Sequence, residues 1–491
     1  MTHPLSTLEP KAVWDNFYQL TQIPRPSKHE EAIQAFMLEF GRSLGLETFR
    51  DDVGNVIIKK PAHAGYEDSP GVILQSHLDM VPQANSDVDH DFTRDPIQAY
   101  IDGQWVTARG TTLGADNGIG VAAVMAVLAD QTIKHGPIEA LFTCDEETGM
   151  TGAFGLSDKS LSGEILLNLD SEDEKELYIG CAGGVDGVFQ LPVAREAMDD
   201  AMALYQIQLR GLKGGHSGVD ISCQRGNANK LLARFLTFID RPVIKLCDFS
   251  GGNLRNAIPR ESSAIIACEP KDIAAVRARL TGFMAMLHAE YAKVEPDIAL
   301  TVVEYDGGET YTALNQASKQ RFLAVMNVAP NGVYRMSLDM EGLVETSSNL
   351  AIVEMKQQAV HFDFLLRSSV DSARDELAQQ ISDLFLLAGG EGVYEGAYPG
   401  WQPNLDSRIL AVMQKTGAAL FGEPPALRSI HAGLECGLLG GIYPNWDMIS
   451  FGPTIRFPHS PDEKVDIASV DSFYTWLVAT LEAVPSLSAK A

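Results

Sequence analysis

Five short stretches of the 491-residue chain set carboxylates and imidazoles beside apolar runs: GVILQSHLDM, TTLGADNGIGV, LFTCDEETGM, LLNLDSEDE and FPHSPDEK. In the first, His77 and Asp79 are two residues apart, so both fall on one side of any continuing strand. In the third, Glu146 and Glu147 are adjacent, although neighbouring carboxylates repel one another. Each stretch has an ordinary explanation when taken alone. A single histidine after a strand is more often a hydrogen-bonded surface group than a ligand, and Asp116 could cap the helix that follows it. The acidic SEDEKE reads as a solvated loop, from which only Asp170, nearest the strand, is assigned to a site. Together, however, the five stretches supply two imidazoles and enough carboxylates for two borderline divalent ions, a mixed nitrogen and oxygen shell that zinc accepts.

Such side chains need a scaffold that gathers them, and in open α/β sheets ligands bind beyond the carboxyl ends of the strands. NVIIKK, GVILQSH, PIEALFT and GEILLNLD have the short apolar runs of strands, while KHEEAIQAFMLEFGRSLG and IGVAAVMAVLAD have helical periodicity. The pattern resumes after about residue 403 with the helix SRILAVMQKTGAALFG, the strand DMISFGP and the helix VDIASVDSFYTWLVATLEAV. Between them, ALYQIQLRGL, SSAIIACEP, ALTVVEYD, LAIVEMK and VHFDFLLRS alternate as antiparallel strands do, interleaved with helices such as NKLLARFLTFI and SARDELAQQISDLFLLAG. The expected architecture is an α/β catalytic domain built from residues 1–186 and 403–491, with an α+β domain inserted over 187–402. The glycine- and proline-rich AGGEGVYEGAYPGWQP, with Trp401, is expected to form a hinge or domain boundary.

Composition narrows the function further. Sixty-five acidic against thirty-eight basic residues give a formal charge of -27, and no Lys/Arg cluster offers a patch for nucleic acid. The N-terminal MTHPLSTLEPKAVWDNFYQL lacks the basic and apolar regions of a signal peptide, and no run approaches the roughly 20 apolar residues of a membrane span, so a cytoplasmic protein without membrane partners is expected. Six cysteines with no CxxC pair read as reduced thiols. GGVDG and similar fragments carry no dinucleotide or phosphate-loop fingerprint.

The motifs SHLDMVP, GTTLGADNGIG, CDEETGMTGAFGL, LNLDSEDE, GGHSG and GPTIRFPHSPDEKV resemble, in order and over essentially the whole chain, those of the M20 family of metallopeptidases. The resemblance implies a zinc-peptidase-like catalytic domain carrying a lid domain, and homodimers formed through that lid. It also implies hydrolysis of unblocked dipeptides, especially those ending in histidine, with β-alanyl-histidine included. Deacylation of N-acyl amino acids and a non-catalytic metal-binding scaffold are the competing readings.

Carried over residue by residue, the resemblance makes His77 and Asp170 ligands of one zinc ion and Glu147 and His459 ligands of the other, with Asp116 bridging both and Mn or Co as possible substitutes. Glu146 becomes the general base and Asp79 the carboxylate that orients His77. His216, in LKGGHSGVDI, becomes the lid residue that stabilises the oxyanion, from its own or a partner subunit; otherwise those glycines mark a flexible loop. Asn256 and Arg367 become substrate-binding residues. A guanidinium offers a planar fork for a C-terminal carboxylate, although a rim salt bridge is the alternative for Arg367. Glu435 could receive the substrate amine. Its spacing from His431 in IHAGLECGLLGG also suits two ligands on one helix face, or simply a packing turn.

Overall fold

The computed structural model describes residues 3–307 and 311–487. The chain forms two compact units: one runs to Gly180 and adds Pro403–Ser429 and the residues from Leu434 onward, and the other comprises Cys181–Gln402 and Ile430–Gly433. The chain thus changes unit after Gly180, where the sequence pattern placed the change after residue 186.

The first unit is α/β. Its eight-stranded sheet has the order Glu47–Arg50, Val56–Lys60, Ile138–Thr143, Val72–His77, Ile165–Asn168, Asp447–Ser450, Glu176–Cys181, Ala426–Ile430. The four strands from Ile138–Thr143 to Asp447–Ser450 run parallel. Val72–His77 and Ile138–Thr143 are buried at every position, as interior strands of a parallel sheet are. The helix Ala115–Ala129 connects these two strands and packs on Val72–His77. It is apolar nearly all round and buried from Asn117 to Leu128, the signature of a core helix rather than a surface one. Register does the rest: His77 lies opposite Thr143, and Gln75 opposite Asn168, so the carboxyl ends of three neighbouring strands finish side by side.

The second unit is α+β. Its antiparallel sheet has nine strands, including Ala203–Arg210, Ser262–Cys268, Val344–Met355 and Ala359–Ser368, and the helices Ala228–Phe238, Ile273–Tyr291, Gln316–Val328 and Asp371–Ala388 pack on it. Phe189, Phe235, Phe249, Phe322 and Phe362 are fully buried in its core.

The glycine-rich stretch is not a hinge throughout. Glu391–Tyr398 is a strand paired antiparallel with Gly183–Pro192, and a Cβ on Gly392 would stand 2.1 Å from the Phe189 ring, so glycine there is a packing requirement. Trp401 is buried and exchanges two backbone hydrogen bonds with Cys181. Among the described residues no helix is long and apolar enough to cross a membrane.

Candidate metal centre

Three of the five stretches behave as expected. His77 ends its strand, Glu146 and Glu147 open a short helix three residues past Thr143, and Asp170 follows Asn168, all at the adjacent parallel ends. The other two arrive differently. Asp116 lies in the first turn of the helix Ala115–Ala129 with non-helical angles, and Asn117 ties that turn to the central sheet by donating to the Leu169 carbonyl at 2.6 Å. Its carboxylate caps no backbone group and faces imidazoles instead. His459 sits in a loop at φ +60°, a left-handed conformation costing a non-glycine residue about 1–3 kcal/mol.

Asp116 presents one oxygen to each imidazole. Oδ1 is 3.0 Å from His77 Nε2 and Oδ2 is 3.3 Å from His459 Nε2. His77 Nε2 is also 3.3 Å from Asp170 Oδ1, and His459 Nε2 is 3.0 Å from Glu147 Oε2. Two potential ion-holding groups result, His77–Asp116–Asp170 and Asp116–Glu147–His459, which share Asp116; Glu146 joins His77 and Glu147 in a third. Asp170 Oδ1 and Glu147 Oε1 are buried and have no hydrogen-bond partner among the described residues. Buried carboxylate oxygens left without donors in clusters that hold two imidazoles fit a dinuclear centre of the zinc type. A fourth acidic group, Glu30–Asp79–Asp145, contrasts with these. There Asp145 accepts from Thr148 and Thr151, and Glu30 accepts from the Asp145 amide at 2.8 Å, so hydrogen bonds within the protein satisfy it.

The electrostatics reflect this crowding. Burial opposes charge on His77, yet Asp170, Asp116 and Asp79 raise its pKa well above the ordinary value. Hydrogen bonds to Asp116 and Glu147 lift His459 to about 11. Burial pushes Asp170 up to about 6 against the attraction of His77. Glu146 is raised well above the ordinary carboxylate range by burial, against His77 and with the help of Asp170, Glu435 and Glu147. Divalent ions compete with protons for such donors, so metal affinity here rises with pH.

Asp79 does more than its spacing suggested. Its Oδ1 lies 3.4 Å from His77 Nδ1 and accepts the Glu146 amide at 3.0 Å, while Oδ2 accepts the Glu147 amide at 3.2 Å and the Ser27 hydroxyl at 2.8 Å. These contacts hold the Asp79 carboxyl at about 2 although burial alone would raise it. One carboxylate therefore fixes the imidazole and the backbone of both glutamates. Asp79→Asn is expected to lower zinc affinity or turnover about 10- to 100-fold, the usual cost of losing a partner of a metal-binding histidine; parental values for both in a chelator titration and a rate assay would contradict this role.

Several supports of the site leave little trace in the sequence. Ser27 and the buried Arg25 come from IPRPSKHE, whose significance was masked by the helix that follows. Glu172, read as solvated, is half-buried, and burial together with Asp116 and Asp170 raises it to about 8. Glu463 is 2 % exposed although it sits in the polar run SPDEK. An Arg between two prolines and an acid four residues past a histidine were the available signals.

His431 and Glu435 do not share a helix face, because the helix Glu435–Ile442 begins at Glu435 and His431 precedes it in the other unit. His431 meets the Ser347 hydroxyl at 2.7 Å, and burial with Arg367 and His216 nearby lowers it to about 3. Glu435 is 1 % exposed; its Oε2 accepts from Gln75 at 2.6 Å and Thr143 at 2.8 Å, whereas its Oε1 has no partner among the described residues. Burial, opposed by His77 and reinforced by Asp170, lifts Glu435 to about 7.

In the second unit, His216 Nδ1 accepts the Gly218 and Val219 amides at 3.2 and 3.1 Å, which assigns the proton of the neutral ring to Nε2. Burial and the Arg367 charge lower its pKa. Arg367 is 5 % exposed, donates to Tyr398 Oη at 3.0 Å, and has no carboxylate partner among the described residues. It is therefore no rim salt bridge. The Asn256 side chain is exposed, and its backbone carbonyl accepts the Ser217 amide at 2.8 Å.

An α/β sheet whose parallel strand ends converge on paired carboxylate and imidazole clusters defines a dinuclear metallohydrolase. The profile of Peptidase family M20/M25/M40 matches residues 73–483, and the chain belongs to that family of metal-dependent peptidases. It is 46% identical over 483 residues to the cytosol non-specific dipeptidase of Escherichia coli (strain K12), covering 98% of this chain and 99% of that one. The crystal structure of aminoacylhistidine dipeptidase from Vibrio alginolyticus matches with a TM-score of 0.92 at 49% identity, over 98% of each chain. Aminopeptidase PepT from Bacillus cereus, at 17% identity and a TM-score of 0.56 over 97% of this chain and 99% of its own, shares the fold.

Proposed function

We propose that this protein is a dizinc dipeptidase that hydrolyses unblocked dipeptides ending in histidine, β-alanyl-histidine among them. The observation that carries this reading is Asp116, which is common to two ion-holding groups beside Glu146. His77 and Asp170 would hold one ion and Glu147 and His459 the other, with Asp116 shared by both groups. Bound there, such ions would supply Lewis-acid polarisation of the scissile carbonyl and acidify water.

The chain's own residues do the rest. Glu146 takes a proton from the attacking water and delivers it to the leaving amine, a task suited to a carboxyl whose proton affinity burial has raised. Asp79 keeps His77 and the Glu146 backbone in register with one another. His216, from this subunit or a partner, donates from Nε2–H to the developing oxyanion. Arg367, a buried cation with no carboxylate partner among the described residues, receives the substrate's C-terminal carboxylate, with Asn256 nearby in the loop that meets Ser217. The unpartnered Glu435 Oε1 is an acceptor for the substrate's ammonium, which favours a dipeptidase over a deacylase of N-acyl amino acids.

The name of the Escherichia coli relative supports a second, broader reading in which histidine is one of several accepted C-terminal residues. That relative's name also supports action in the cytoplasm, and the family supports homodimers formed through the second unit.

Stripping the protein with a chelator should abolish hydrolysis of alanyl-histidine, and two equivalents of Zn²⁺ should restore it; full activity in the stripped protein would refute the reading. Arg367→Ala is expected to reduce kcat/KM for alanyl-histidine about 10- to 100-fold, as loss of a charged hydrogen-bond partner worth about 1.5–3 kcal/mol implies. The same variant should no longer distinguish that substrate from its C-terminal amide. Retained discrimination would remove Arg367 from carboxylate binding.

A further inference from the structure

The mechanism rests on Asp116 facing both imidazoles, and the Asn117 bond to the Leu169 carbonyl is only one of the ties on its turn. Its loop is gripped from two sides. Four consecutive backbone amides donate to one side chain, Glu463: Leu113 at 2.7 Å and Gly114 at 2.9 Å to Oε2, Ala115 at 2.8 Å and Asp116 at 3.2 Å to Oε1. From the other side Arg25 donates to the Gly114 carbonyl at 2.5 Å, and also to the Leu78 and Asp79 carbonyls at 2.9 and 3.0 Å. Both charged groups are 2 % exposed. Gly114 is the pivot: it takes φ +70°, and a Cβ there would stand 2.6 Å from the Arg25 guanidinium and 2.8 Å from Met80 Sδ.

We propose that Glu463 and Arg25 form a positioning pair that sets the spacing of the dinuclear centre by locking the Asp116 loop to the segments carrying His459 and His77. Glu463 follows His459 by four residues, so its grip on the Asp116 loop ties one ligand segment to another. Arg25 binds the turn immediately after His77 and the residue two before Asp116, tying that loop to the third segment. Taking two charges out of water is costly, and an apolar plug would fill the space at lower cost. Charges here supply what a plug cannot, namely direction: a carboxylate that saturates four amides and a guanidinium that fixes three carbonyls leave the loop one orientation. Both groups are buried against backbone and act as positioning residues.

The inference rests on the proposed ligand set, so the test separates the two. Zinc affinity is measured by competition with a chromophoric chelator, alongside thermal unfolding with and without Zn²⁺, for the full-length parent, Glu463→Gln, Arg25→Lys, Asp116→Asn, and Asp462→Asn as an exposed neighbouring control. Glu463→Gln and Arg25→Lys are expected to bind Zn²⁺ about 10- to 100-fold more weakly and to gain less melting temperature from it. Their combined loss in the double variant should be less than the product of the single losses, because both act on one loop. Asp462→Asn should match the parent. If the two variants melt earlier but bind zinc as the parent does, or if neither folds, the pair serves only the fold and the inference is overturned. If Asp116→Asn itself binds both ions normally, the ligand set is wrong, whatever the other variants do.

Discussion

Glu146→Gln should retain zinc and lose turnover by about 10²- to 10⁴-fold, the range contributed by a positioned acid–base group. Glutamine keeps the volume and can still accept a hydrogen bond, but it cannot take and return a proton. The prediction depends on the separation of roles between the adjacent glutamates. Glu147 points its Oε2 at His459 Nε2 3.0 Å away, whereas Glu146 belongs to no group containing His459. Both backbones hang from Asp79, so the substitution should leave the local framework standing. Zinc content and kcat measured on the same preparation check it. A variant within tenfold of parental turnover would remove Glu146 as the base, and one that has lost zinc would make it a ligand.

Asp116→Ala is expected to be more damaging still, because one carboxylate serves both ions. Each Asp116 oxygen faces a different imidazole, and the approach of His459 and His77 lowers the pKa of its carboxyl against the effect of burial. Without it, His77 keeps Asp170 and His459 keeps Glu147, and neither pair makes the three-ligand set that catalytic zinc sites use. Zinc bound after gel filtration should fall for both ions together, with activity lost in parallel. Loss of one ion alone would show that Asp116 does not bridge.

How far the sequence revealed this site depends on the kind of signal. His77, Glu147 and Asp170 follow apolar runs that are neighbouring parallel strands, so periodicity and the strand-end rule suffice to bring them together. Asp116 and His459 end no strand of that sheet; a helix's distorted first turn and a left-handed loop residue present them, and neither leaves a periodic trace. The alternation of the second unit's strands was legible, but its edge strand Glu391–Tyr398 was hidden by glycines that read as a hinge. Glycine is there because Phe189 occupies the space above Gly392, and such a contact between distant segments has no local signature. The same holds for Arg25 and Glu463: a charge is read as solvated unless its buried partners are known, and those partners here are backbone groups far along the chain. His431 misled in the opposite way, since the four-residue spacing from Glu435 matters only inside a helix and the helix starts too late.

The most direct test of the central claim is to offer chelated protein, reloaded with Zn²⁺, β-alanyl-histidine, alanyl-histidine and N-acetyl-histidine, and to quantify released histidine. A metal-dependent dipeptidase with an ammonium acceptor at Glu435 cleaves the two free-amine dipeptides and leaves the acetylated compound intact. Cleavage of N-acetyl-histidine in preference to both dipeptides would contradict the account and make the same centre that of a deacylase.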